Sequence, residues 1–267
     1  MEVIAVGTAA IDVICEVGMY PKEDSKARSL ATYKCRGGNA ASALVVCSQL
    51  GGRCRCRWLS TSTDPDKDSD ARFIFADLAA YNVDSSLAVI EEESSMSVSY
   101  IISGQATGPR TIVHSRTIAE LSSKTLASLA NYVFVSEDYL RDNVFASSAE
   151  QILAKFKGSN GTRTDPVGES IVCRRDSEGY YLKWDAGSTE RHPYSTVQHR
   201  SLTRGNLESN GAGDSFIGAA LAGLSRGNAP FYLVLKTACD VATFKCSQHG
   251  FHLPCNKVLE WKSALQS

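Results

Sequence analysis

At its start this chain lacks any apolar run of membrane-spanning length. Asp12 interrupts the segment that opens Met1-Glu2-Val3-Ile4-Ala5-Val6-Gly7, and no basic residues lead it. A cytoplasmic, unanchored protein is expected. Excess charge of either sign is also missing: 28 basic against 29 acidic residues leave a formal net charge of -1. Such a balance offers no electrostatic footprint for nucleic acid or an anionic membrane, and a small neutral or phosphorylated ligand suits it better. There are nine cysteines, at 15, 35, 47, 54, 56, 173, 239, 246 and 255, but no CxxC pair with which a zinc site begins. They are expected to be reduced. Cys54 and Cys56, in a CxC spacing, are assigned no metal, and His114 has no partner at ligand spacing. Internal repeats and low-complexity tracts are absent, as are two common nucleotide loops. Gly211-Ala-Gly213 has Phe216 where a dinucleotide fingerprint needs its third glycine, and no Gly-Lys-Ser/Thr follows to make a P-loop.

What is present is enough for one large core, or one core and a small lobe: 267 residues, 43% hydrophobic and 21% charged. The chemistry concentrates at Leu207 to Leu224. Asn210 to Gly213 is turn sequence, and an Ala/Leu helix follows. Gly211 and Gly213 let successive backbone N-H groups converge with the free N-H groups of the helix start, which makes an anion pocket across Gly211, Ala212 and Gly213. Asp214 stands at that helix start, where it is a helix cap or a base beside a bound phosphate.

Upstream, Val3 to Val6 reads as a buried strand, with Asp12 beyond it. In an open α/β sheet, ligands bind outside the carboxyl ends of strands, so Asp12 is a candidate for hydroxyl contacts; a solvated turn aspartate is the alternative. Arg36-Gly37-Gly38-Asn39 leads into a small-residue helix over 40–50 that stops at Gly51. The paired glycines admit a ligand to the backbone, and Asn39 is either a hydrogen-bonding contact or an N-cap. Arg53 to Leu59 alternates like an exposed edge strand. Helical spacing over 71–81 puts Phe73, Phe75 and Leu78 in the core. Segments 97–102 and 110–114 read as a hairpin whose second strand opens on Arg110, an ordinary surface charge or a phosphate contact. Helices are expected over 121–129, 148–156 and 231–248, and strands over 132–135, 170–173 and 180–184. Strands alternating with helices indicate a layered α/β sheet, and the hairpin segments an added β lid.

Taken together, Asp12-Val-Ile, Tyr20-Pro-Lys-Glu-Asp-Ser25, Arg36-Gly-Gly-Asn-Ala40, Arg110-Thr-Ile-Val, Gly211-Ala-Gly-Asp-Ser-Phe216, and the tail from Lys245-Cys246 to Gly250-Phe251 resemble the ribokinase-type (PfkB) carbohydrate kinase family, and within it the ketohexokinase group. That resemblance implies a ribokinase-like layered α/β/α sheet with a small β lid, a single domain over 1–267, and lid strands from about 13–35 and 96–115. It implies ATP-dependent phosphorylation of a ketose, fructose at its 1-hydroxyl giving fructose 1-phosphate, with Mg2+ carried on ATP and no dedicated protein metal site. Sugar hydroxyls would be held by Asp12, Gly38, Asn39, the position of Ser42 and Asp214, the last being the catalytic base. Arg110 would meet the transferring phosphate, Gly211 to Gly213 would form the anion hole, the turn Asp176-Ser177-Glu178-Gly179 would border the nucleotide, and Cys246 would line the adenine pocket. The lid would pair two subunits into a homodimer.

The chain departs from the family pattern in places. Ser42 stands where the group has a sugar-binding Asn, which leaves another sugar or a nucleoside as an alternative acceptor. Glu208 replaces the usual Asp, and Ser136-Glu137-Asp138-Tyr139 stands where the wider family has a magnesium-associated Asn-x-x-Glu. Between Leu129 and Tyr132 the resemblance implies a missing strand-helix-strand unit. A splice variant or a non-catalytic sugar- or nucleotide-binding relative is therefore the rival reading.

Overall fold

A computed structural model describes residues 1–51, 54–104, 110–118, 211–227 and 229–265, with 231 and 232 by backbone alone, and the backbone of strands over 132–136, 169–173, 180–185 and 188–193. The chain divides into two compact units, one of Met1–Leu121 with Ser201–Ser267 and one of Ser122–Arg200.

In the first unit, β1 (Glu2–Val6) pairs in parallel with β4 (Arg55–Leu59), which pairs in parallel with β6 (Val83–Asp84). β4 therefore lies between two neighbours and is not the edge strand its Arg-x-Arg alternation suggests. Cys56 and Trp58 face inward and are fully buried, and Trp58 donates its indole N-H to the Gly7 carbonyl at 2.9 Å. The arginines on the other face are held by carboxylates: Arg55 and Arg57 both reach Asp84, and Arg57 also reaches Glu2. A second sheet runs in the order β3-β2-β8-β9, from β2 (Ala10–Val17), β3 (Ser29–Gly37), β8 (Ser97–Gly104) and β9 (Arg110–Ser115). β8 and β9 are antiparallel, as their hairpin pattern predicts, and β2 and β8 are parallel. A short parallel pair, β5 (Thr61–Ser62) and β7 (Val89–Ile90), completes the described strands of this unit.

Helix α1 (Asn39–Leu50) packs on β1 and β4 and carries α3 (Ala212–Leu224) on another side, with α4 (Phe231–Lys245) beyond α3. Burial on several sides explains its composition: Ala41, Ser42, Ala43, Leu44, Val45, Val46 and Cys47 are all inside. Close approach of α1 and α3 depends on Gly218, where a Cβ would lie 2.3 Å from the Ala43 carbonyl oxygen and 2.7 Å from Val46 Cβ. Gly218→Ala is accordingly expected to destabilise the protein by about 1–3 kcal/mol through forced separation of the helices, read by urea denaturation. Helix α2 (Ser69–Ala80) is capped by Asp68, which accepts from the N-H groups of Asp70 and Ala71. Its buried positions are Ala71, Ile74 and Leu78. That spacing turns Phe73 outward, against the core role expected for it, to lie beneath the Lys34 ammonium. Phe75 stacks edge-on with Trp58. Helix α5 (Cys255–Ala264) follows Pro254.

The second unit contains a parallel pair, β10 (Tyr132–Ser136) with β11 (Glu169–Cys173), and an antiparallel pair, β12 (Tyr180–Asp185) with β13 (Ser188–Pro193). The helices expected over 121–129 and 148–156, the join between 129 and 132, and the turn 176–179 lie outside the described residues.

Candidate active site

The described members of the site all belong to the first unit. Asp12 is not a turn residue: it sits within β2, opposite Cys35 of β3 and Ser99 of β8, and is buried. Room for its carboxyl group exists because residue 37 is glycine; a Cβ there would stand 2.3 to 2.5 Å from the Asp12 carboxylate atoms. Gly38 then turns the chain from β3 into α1 with φ 91°. A side chain at that position would also collide with the Thr8 carbonyl oxygen at 2.3 Å and the Ala9 Cα at 2.6 Å, so two separate constraints require glycine. Asn39 opens α1 and is exposed. Ser42, one turn on, faces inward: it is fully buried and accepts from Arg36 Nη1 at 2.9 Å. Its hydroxyl is thus engaged with Arg36.

The second half of the site is the start of α3. Gly211 caps the helix in the left-handed conformation, φ 78° and ψ 8°, and a Cβ on it would lie 2.2 Å from Phe251 Cζ. Ala212 begins the helix, and Gly213 is exposed, with no atom of the described residues outside its own turn of helix within 4 Å of where its Cβ would be. Among the described residues nothing covers the backbone at this point. Asp214 follows in the first turn, then Ser215, whose buried hydroxyl has no hydrogen-bond partner among the described residues.

Phe251 joins the two halves. Its ring has the Arg36 guanidinium 5.2 Å and the Lys245 ammonium 5.4 Å from its centroid. The segment is fixed to α1 by Gln49, which donates to the Phe251 carbonyl at 2.8 Å and accepts from the Leu253 N-H at 2.8 Å. Both cations are almost fully enclosed. Arg36 donates to Asp77 Oδ2 at 2.5 Å, and Lys245, the last residue of α4, donates to the Gln248 carbonyl at 3.2 Å. Cys246 caps the C-terminus of α4 and is half-buried. Arg110 opens β9, where its pattern places it.

One carboxyl group reports how these charges combine. Burial pushes Asp214 up to about 7; Arg36 opposes that rise, Asp12 adds to it, and Lys245 and Arg110 oppose it. Asp214 thus lies in the field of one acid and three cations drawn from β2, β3, β9 and α4. A carboxyl group poised there exchanges a proton near neutrality, beside a helix N-terminus that favours negative charge. Sequence reading missed Arg36, Lys245 and Phe251 as a set. The signals were a charged residue directly before Gly37-Gly38 and another directly before Cys246, but nothing in one dimension shows that Phe251 unites them.

No family model matches the chain. It is similar to ketohexokinase of Mus musculus, at 24% identity over 94% of this chain and 97% of the relative. That alignment runs over 311 positions against 267 residues here, so parts of the relative face gaps in this chain. Among solved structures it is similar to ribokinase from Thermotoga maritima, with a TM-score of 0.71, 14% identity and coverage of 97% of this chain and 98% of that one. Ribokinase from Cryptococcus neoformans, solved in complex with ADP, gives a TM-score of 0.65 at 17% identity, covering 96% and 98%. The chain therefore has the ribokinase-like α/β fold and is a homologue of ketohexokinase along nearly its whole length.

Proposed function

We propose that this protein is an ATP-dependent carbohydrate kinase that phosphorylates a ketose, with fructose at its 1-hydroxyl as the acceptor. The observation that carries this reading is Asp214: a carboxyl group in the first turn of α3, raised to about 7 by burial within the combined field of Arg36, Asp12, Lys245 and Arg110. Asp12, the Gly37-Gly38 backbone and Asn39 bind sugar hydroxyls, and Asp214 accepts the proton of the attacking hydroxyl as its oxygen bonds to phosphorus. The bond from phosphorus to the ADP oxygen breaks in the same transfer. N-H groups of Gly211 to Gly213 and of the α3 start, with Arg110, hold the phosphoryl oxygens while charge shifts among them. The fit to an anion rests on the left-handed Gly211 and, among the described residues, on the uncovered face of Gly213 and the Ser215 hydroxyl without a partner. Magnesium carried on the triphosphate would supply charge neutralisation there. Cys246 borders the nucleotide, the protein works in the cytoplasm, and two copies pair through the β3-β2-β8-β9 sheet.

ADP release with fructose, ribose and adenosine as acceptors tests the substrate. Preference for fructose supports the reading, whereas preference for adenosine assigns the site to nucleosides. The engagement of Ser42 with Arg36 favours keeping that second acceptor in the panel, because it leaves hydroxyl recognition to fewer side chains. Tight sugar binding without turnover would assign the chain to the non-catalytic class, for which the gaps opposite the mouse relative are the motive. A sharper test is Gly37→Ala. The three atoms nearest the new methyl group all belong to the Asp12 carboxyl, a side chain that can turn away, so the fold is expected to survive, as a thermal melt checks, while Asp12 is displaced. The expected result is a rise of about tenfold or more in the KM for sugar, the KM for ATP being nearly unchanged, since even an ångström of misplacement is costly in such a site.

A further inference from the structure

We infer that Cys47, Cys54 and Cys56 form a site for one soft d10 cation, zinc(II) or copper(I), bound through three sulfurs in the first unit. This inference is independent of the kinase reading. The three sulfurs lie within 4.8 Å of one another. Three thiolates around one such ion, at a metal-sulfur length of about 2.3 Å, stand about 4 Å apart, so little adjustment is needed. The cysteines come from separate places: Cys47 from α1, Cys56 from β4, and Cys54 from the segment between them. Cys47 lies about 12 Å along α1 from Asn39, well removed from the candidate active site.

The surroundings favour a ligand over packing alone. Cys47 and Cys56 are fully buried, while Cys54 is half-buried and provides the route of entry. Gly51 makes room, since a Cβ there would lie 3.0 Å from Cys54 Cβ and 2.8 Å from the Cys47 carbonyl oxygen. Arg226 donates from Nη2 to the Leu50 carbonyl at 2.8 Å, and its buried Nε-H has no partner among the described residues. That cation, at the end of α1 nearest the sulfurs, suits the net negative charge of a trithiolate holding a monovalent or divalent ion. Among the described residues no carboxylate or imidazole joins the cluster. A donor set of sulfur alone selects soft ions and rejects magnesium or calcium. On binding, each metal-sulfur bond forms as a thiol proton passes to solvent. Sequence reading assigned Cys54 and Cys56 no metal because CxC is not a zinc spacing; the third sulfur arrives from a helix.

Titration of the full, reduced, metal-free chain with Cd2+ tests the site. A thiolate-to-metal absorbance saturating at one equivalent is expected, with Zn2+ and Cu+ each competing for it. Cys54→Ser, at the half-buried position, should weaken binding by at least about tenfold. Cys15→Ser, in β2, should leave binding unchanged, and thermal melts verify that both variants fold. Zn2+ should also protect Cys54 of the wild type from alkylation, a measurement that needs no variant. The proposal is overturned by the absence of the absorbance at one equivalent, by equal binding in Cys54→Ser, or by alkylation of Cys54 at the same rate with and without Zn2+. A disulfide within the trio that forms as readily in the metal-treated protein as in the metal-free protein would overturn it too, and would assign the thiols to redox chemistry.

Discussion

Asp214→Asn is expected to lower kcat by roughly 10²- to 10⁴-fold while leaving the affinity for sugar within a few fold, because the amide keeps the shape of the carboxylate but takes no proton. Stopped kinetics of ADP release against sugar concentration separates the two effects, and equal kcat in the two proteins would remove Asp214 as the base. In the wild type, turnover should rise as pH increases through about 7, the value to which burial lifts this carboxyl group, since only the ionised form accepts a proton. The same shift predicts a change in stability. Between the ordinary carboxylate value near 4 and about 7, the native protein retains a proton that the unfolded chain has released, so stability falls as pH rises through that window and levels off above it. Asp214→Asn removes this slope. The variant should be more stable than wild type by about 1–3 kcal/mol at pH 8, less than the whole shift would give because Asp214 is only partly buried, and should show little gain at pH 4. A variant that is both inactive and more stable is the signature of a strained functional group. Urea denaturation at the two pH values measures it.

The turns that frame the candidate site were readable in the sequence because backbone geometry dictates their residues. Gly38 must be glycine for its positive φ and its contact with Thr8, and Gly211 for its left-handed cap and its contact with Phe251. Both therefore appear as glycine signatures ahead of small-residue helices. The two helices were equally legible, because close packing at Gly218 imposes alanine and glycine around it. What escaped was set by tertiary partners. Phe73 and Ile74 are adjacent and both apolar; packing selects Ile74, and Lys34 covers Phe73 instead. β4 looked like an edge because of Arg55 and Arg57, whose charges are answered by Asp84 and Glu2 from other strands. The hydrogen bond of Ser42 to Arg36 was likewise not visible in the sequence. For Phe73 and for β4 the deciding partner lay far away in sequence, whereas Arg36 stands only six residues before Ser42.

Arg36 is where stability and catalysis meet, and Arg36→Met should disturb both. The guanidinium is nearly fully enclosed, donates to Asp77 and Ser42, and lies over the Phe251 ring. Its loss leaves Asp77 without its charge partner and the Ser42 hydroxyl buried without its donor, at a cost of about 3 kcal/mol. Asp77→Asn in the same chain should recover part of that loss, because the orphaned charge is then gone. The electrostatic consequence is separate. Arg36 is the strongest of the cations that hold Asp214 down against burial, so its removal raises that carboxyl group further. The acid limb of the rate profile should then move to pH values above 7, even at temperatures where the variant is fully folded. Arg36→Lys distinguishes the two roles: a compact ammonium retains most of the charge felt by Asp214 but cannot span Asp77 and Ser42 with a planar fork. It should lose stability like the methionine variant while keeping the wild-type limb. An unshifted limb in Arg36→Met would mean that the charge of Arg36 does not reach Asp214, and the field that makes this carboxyl group a base near neutrality would have to come from Lys245 and Arg110 alone.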